Sequence, residues 1–194
     1  VLGDGLPDRG VNVSVVEKTR LRVKVSDLCL AWNCSQRTAF NRLRPLIEDG
    51  LVTLEREHGK KVSLVGWSLG GAMAHALALR MPQRIRQVIT LGSPLSGHPK
   101  GTNVGKLFHL VSGFHADDER LHALINGEPQ VPTTSIMSKT DGIVNWRMSL
   151  ARESTISENI EVSATHMGMG ANPAVLWAIA DRLSQEEGQW KPFA

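Results

Sequence analysis

From about residue 60 onward, apolar and polar positions fall into short separate blocks of two periods. Val62-Ser63-Leu64-Val65 is a short, mostly apolar run that predicts a strand. Leu69 to Arg80, rich in Ala, Leu and Met and stopped by Pro82, predicts a helix. Ile85 to Leu91 (IRQVITL) predicts a second strand closed by Gly92-Ser93-Pro94, Thr133 to Ser138 a third, and Ile160 to Ser163 a fourth. A last helix is predicted from Pro173, a suitable first-turn residue, to Leu183, with Val175, Leu176, Ile179, Ala180 and Leu183 as its apolar face. Strands alternating with helices imply the α/β class, a mainly parallel sheet flanked by helices.

Two stretches depart from that alternation. Between Gly97 and Pro132 lies a longer excursion with one predicted helix, Asp117 to Ile125. Ahead of residue 60, Val11 to Val16 and Leu21 to Val25 alternate as two strands joined by a charged turn. Leu46 to Glu57 follows as a helix presenting Leu46, Ile47, Leu51 and Leu54 to a core and ended by Gly59. Gly50 weakens that helix by about 1 kcal/mol relative to alanine. The expected organisation is an N-terminal segment over 1–45, a hairpin plus helices, and a core over 46–194 with a short cap-like insertion at about 97–132.

Composition changes this picture little. The chain is 41% hydrophobic and 21% charged, which suits a packed globule and excludes disorder. A net charge of +3 is too small to imply nucleic acid or an anionic membrane as partner. Lys18, Arg20, Arg22, Lys24, Arg37, Arg42 and Arg44 stand against Asp27 alone in their stretch, most simply as a solvated basic face. Cys29 and Cys34 make neither a disulfide framework nor a metal-ligand series and fit a reducing compartment. No apolar run approaches the roughly 18 residues of a membrane span, and the first residues lack a signal-peptide pattern, so a cytoplasmic location is expected. The first residue is Val1 rather than Met, which leaves room for residues upstream.

The candidate chemistry lies in Gly66-Trp67-Ser68-Leu69-Gly70-Gly71, between the first strand and its helix. A serine hydroxyl attacks a carbonyl only when a neighbouring base removes its proton and N–H donors receive the oxyanion. A sharp strand-to-helix turn exposes the serine and aims the next N–H from a helix N-terminus, whose dipole favours negative charge. Small residues must flank so tight a turn, here Gly66 and Gly70 around Ser68, with the Leu69 N–H as oxyanion donor. The plainer alternative is a glycine-rich turn cradling a phosphate, but the run has neither the Lys of a phosphate loop nor the spacing of a dinucleotide fingerprint.

KKVSLVGWSLGG, then VITLGSPLSG, SIMSKTDGIV and SATHMGMG together resemble the α/β-hydrolase superfamily, in particular its bacterial esterase and lipase-like members. The resemblance covers about residues 46–194. It implies the order nucleophile, acid, histidine, which falls on Ser68, Asp141 and His166. Asp141, just past the third strand, would accept the imidazole N–H; taken alone it reads as the first residue of an Asp-Gly turn. Of the seven histidines, His166 is the one between the last strand and the last helix. His58 lies upstream of the serine, His75 on its helix as scaffold, and His98, His109, His115 and His122 in the excursion. The implied function is cleavage of a carboxylic ester through an acyl-enzyme, with no metal or organic cofactor and a small-molecule or lipid-like ester as substrate. Phe108, Leu110, Val111 and Phe114 would line an apolar cap.

Two features depart from the family pattern. Members carry an early loop, often with His-Gly, that supplies a second oxyanion N–H. No such loop, nor the usual first strands, is found in the 67 residues ahead of Ser68; Val1-Leu2-Gly3-Asp4-Gly5 is the candidate tail of that loop. A missing donor typically costs about 10²–10³ in kcat, which leaves a catalytically impaired binding protein on a hydrolase scaffold as an alternative. Residues 25–52 also resemble the helix-turn-helix of winged-helix regulators, with Gln36, Arg37 and Asn41 facing a major groove, although Pro45 would interrupt the recognition helix. Binding to nucleic acid is the minor alternative. Gly50 discriminates: the hydrolase reading needs a helix through it, the winged helix a stop there and a strand over Leu51 to Glu55.

Overall fold

The computed structural model describes residues 48–95 and 127–194. Among these residues four parallel strands form one sheet: β1 (Val62–Trp67), β2 (Ile85–Leu91), β3 (Thr133–Met137) and β4 (Ser157–Glu161), side by side in sequence order. Helix α1 runs over 48–58, α2 is Leu69–Arg80 and α3 is Pro173–Ser184. The α/β class expected from the alternation is the class observed. The predicted strands at 11–16 and 21–25, the helix at 117–125 and most of the cap-like insertion lie outside the described residues.

β2 lies between β1 and β3, and every residue of it but Arg86 is buried, as befits a strand covered on both faces. Val88 joins Leu51, Ala74, Leu77, Ala78 and Val131 beneath α1 and α2, while Ile89 and Leu91 join Ile136, Ala164, Met169, Val175 and Ala178 beneath α3. Ile85 sits with Val88 rather than opposite it, because the β1–β2 register shifts between Val62 and Ser63, where Ile85 and then Gln87 are the partners. Burying each Val, Leu, Ile or Met side chain among these contributes about 1.5–3 kcal/mol. α2 approaches the sheet closely because Gly71, Ala72, Ala74 and Ala78 on its buried side are all small.

Three expectations are corrected. β4 begins at Ser157, three residues before the predicted Ile160. Its polar start is tolerated because each group finds a partner: Glu158 accepts from Thr134 Oγ1 at 2.8 Å, and Asn159 both donates to and accepts from the main chain of Ala151 at 2.8 Å. α3 buries Val175, Ala178 and Arg182, whereas Leu176, Ala180 and Leu183 are exposed. Arg182 is fully buried because Glu158 and Asp181 neutralise it, the carbonyl of Lys191 accepts a further bond, and the Phe193 ring lies 5.5 Å from its guanidinium carbon. In α1, Leu51 is buried but Leu54 is exposed. The helix passes through Gly50 and ends before Gly59, whose N–H bonds the Glu55 carbonyl at 2.8 Å. Leu51 to Glu55 are therefore helical, not the strand a winged helix requires.

No helix among the described residues is long and apolar enough to cross a membrane.

Candidate active site

Parallel strands bring their C-terminal ends to one edge, and in open α/β sheets that edge receives ligands. β1 ends in Trp67 and β2 in Leu91, and the two are register partners. The ladder extends one step further, with the Ser68 N–H donating to the Leu91 carbonyl at 2.8 Å. Ser68 then turns at φ 55°, ψ −127°, the one non-glycine of positive φ among the described residues. Such a conformation costs of order 1–3 kcal/mol and persists only where its surroundings enforce it. It lifts the serine out of the strand and starts α2 at once, so the Leu69 N–H has no carbonyl one turn earlier to bond.

The enforcing contacts come from two glycines. A Cβ on Gly66 would lie 2.5 Å from the Gly70 carbonyl oxygen and the Gly71 Cα; one on Gly71 would lie 2.0 Å from Ser93 Oγ. Gly70, paired with Gly66 in the sequence reading, has open space at the same position. The tight pair is Gly66 and Gly71, because the first turn of α2 swings residue 71 back over the strand.

Asp141 and His166 lie together at 2.7 Å, Oδ2 to Nδ1, with side chains 1% and 6% exposed. Asp141 stands in the loop after β3, where its Oδ1 accepts from the N–H groups of Ile143 and Val144, each at 2.8 Å. Those bonds close a turn and aim Oδ2 at the imidazole. The histidine stands in a turn after β4, where Gly168 and Met169 both donate to the Thr165 carbonyl. Ser138 ties the two loops: its Oγ accepts from Ala164 N–H at 3.1 Å and Thr140 N–H at 3.2 Å, while the Thr140 hydroxyl donates to the Ala164 carbonyl at 3.2 Å.

Trp67 links the serine turn to the histidine turn. Its indole N–H donates to the His166 carbonyl at 3.1 Å, and the two ring centroids are 5.5 Å apart. Among the described residues the Ser68 hydroxyl makes no hydrogen bond, so serine and histidine are neighbours through Trp67 rather than through a bond of their own. Sequence reading missed Ser138, Trp67 and Gly92; the sole available hint was that Gly92 and Trp67 adjoin recognised motifs. Gly92, at φ +50°, lies directly beneath the Asp141 carboxylate.

His75 is buried in α2, where burial lowers its pKa from 6.5 to about 4 and its Nδ1 has no hydrogen-bond partner among the described residues. It is a neutral core residue.

Comparison with known proteins agrees with this architecture. The sequence model of the alpha/beta hydrolase fold matches residues 57–126. A lipase-esterase related protein from Clostridium acetobutylicum superposes with a TM-score of 0.51 at 16% identity, over 76% of each chain. A hydrolase from Pseudomonas aeruginosa aligns over 71% of this chain and 70% of its own, at 17% identity and a TM-score of 0.49. No curated protein matches the sequence. At 16% identity the likeness to the Clostridium protein is one of fold, and with the sequence-model match it coincides with the sheet order and the strand-turn-helix at Ser68: the chain has the α/β-hydrolase fold.

Proposed function

We propose that this chain hydrolyses carboxylic esters of small or lipid-like molecules, with Ser68 as nucleophile, His166 as general base and Asp141 as the acceptor that orients it. The observation that carries the proposal is the buried 2.7 Å contact between Asp141 Oδ2 and His166 Nδ1, linked through Trp67 to a serine held at positive φ. With Nδ1–H committed to Asp141, His166 keeps Nε2 as the proton acceptor.

Ser68 Oγ attacks the ester carbonyl carbon as its proton passes to Nε2, and the carbonyl oxygen becomes an oxyanion received by the Leu69 N–H. Collapse of that intermediate breaks the acyl–oxygen bond; the imidazolium returns the proton to the leaving alkoxide, and an alcohol departs. Water then attacks the acyl-serine, giving its proton to His166, and the carboxylic acid and free Ser68 are restored.

Labelling with a fluorophosphonate probe tests the proposal. Wild-type chain is expected to label, Ser68→Ala is not, and Asp141→Asn is expected to lose about 10⁴-fold in kcat on a p-nitrophenyl ester. Absence of Ser68-dependent labelling overturns it. A second reading, a binding protein on this scaffold, is favoured by a Ser68 hydroxyl that bonds no group among the described residues. It predicts labelling of Ser68 without multiple turnover of short p-nitrophenyl esters.

A further inference from the structure

Trp67 is placed to do more than fill space. It is the last residue of β1, directly before Ser68, and 38% of it is exposed, so it is not a core side chain. Yet both its polar and its apolar parts are engaged by one residue, 99 positions away. The indole N–H bonds the His166 main-chain carbonyl at 3.1 Å, and the indole ring lies 5.5 Å from the imidazole, inclined at 36°. Among the described residues, the one charged group that pairs with the imidazole is Asp141, from the loop after β3. Trp67 reaches the same residue from β1. Thr165, Gly168 and Met169 of the histidine's own turn carry no charge.

A cation over the face of an indole ring, within about 6 Å of its centroid, is attracted by the ring's quadrupole, and at 36° the two ring planes are nearer to parallel than to perpendicular. His166 becomes such a cation in the proposed reaction, when it takes the proton of Ser68. We propose that Trp67 is a positioning residue for His166: its N–H fixes the histidine's main chain relative to the serine turn, and its ring stabilises the imidazolium that forms there. The proposal rests on His166 being the base. It explains why the position before the nucleophile holds an aromatic residue with a donor at its edge, where packing alone would accept leucine.

The test compares Trp67→Phe, which keeps a ring and loses the donor, with Trp67→Leu, which loses both. Turnover of a p-nitrophenyl ester is measured against pH, the His166 imidazole is titrated by NMR, and unfolding is followed by heat. Trp67→Leu is expected to lose about two- to thirtyfold in kcat with little change in KM. Without the ring the imidazolium is less favoured, so the His166 midpoint and the acid limb of kcat/KM move to lower pH. Trp67→Phe is expected to keep that midpoint and lose part of kcat. A His166 midpoint unmoved in Trp67→Leu, whatever happens to the melting temperature, overturns the proposal. So does an unchanged kcat in Trp67→Phe for the role of the N–H. The NMR titration needs no turnover. If the wild type fails to cleave esters, the hydrolase assignment falls while the Trp67–His166 coupling is still decided by the midpoint.

Discussion

Gly92 and Asp141 compete for one volume: a Cβ on Gly92 would stand 2.8 Å from Asp141 Oδ2 and 2.9 Å from Met169 Sδ. The end of β2 is therefore a floor beneath the carboxylate that the next loop delivers. Gly92→Ala is expected to push Asp141 off His166 and to strain a backbone at φ +50°. A displacement near 1 Å costs about 10²-fold in rate, so kcat should fall by about ten- to a hundredfold. Kinetics on a p-nitrophenyl ester beside thermal unfolding check this; a variant that loses stability while keeping kcat contradicts it.

The glycines of the serine turn should divide sharply. Gly66→Ala and Gly71→Ala place a methyl group against backbone or against the buried Ser93, and are expected to abolish soluble folded protein or cost several kcal/mol. Gly70→Ala meets nothing and should stay within about 1 kcal/mol of wild type. Chemical denaturation of the three variants separates them.

Ser138→Ala leaves the main-chain N–H groups of Thr140 and Ala164 without their acceptor. Unsatisfied buried donors cost about 1–3 kcal/mol each when water cannot reach them. Because those donors lie in the two loops that carry Asp141 and His166, kcat is expected to fall more than KM rises. Equal loss in both parameters would mean that Ser138 serves stability alone.

His75 makes the fold acid-sensitive. Its folded pKa of about 4 lies below the unfolded 6.5, so the unfolded chain binds the extra proton between those values. Stability is therefore lost as pH falls from 6.5 to 4, by on the order of 3 kcal/mol from this group. His75→Met removes the titrating group and its orphaned Nδ1 while keeping a helix former. Its unfolding free energy is expected to equal or exceed wild type at pH 7 and to fall less steeply toward pH 4.

The elements easiest to read in the sequence were those whose burial agrees with their hydrophobicity. α2 begins and ends where Ser68 and Pro82 place it, and β2 coincides with IRQVITL. Reading failed where polar residues are buried in satisfied networks. Glu158 belongs to β4 because Thr134 and Arg182 partner it, and Asn159 because Ala151 does, and no local pattern announces partners from other elements. Arg182 turned the expected face of α3 for the same reason: a charge neutralised by Glu158 packs inward, leaving Leu176 outside. The roles of Gly71 and Gly92 were hidden because a glycine in a sequence does not say what a methyl group there would strike.

The parallel sheet also bears on how fast the site is assembled. Every described strand pair needs a crossover, so none of these pairings is seeded by a hairpin and each closes a loop between distant residues. Ser68, Asp141 and His166 stand past the ends of three different strands, successive members 73 and 25 positions apart. Topologies of that kind collapse slowly, because loop-closure entropy must be met before the distant contacts form. During refolding, secondary structure should return before Asp141 meets His166, and the delay between the two would time the closure of the chain.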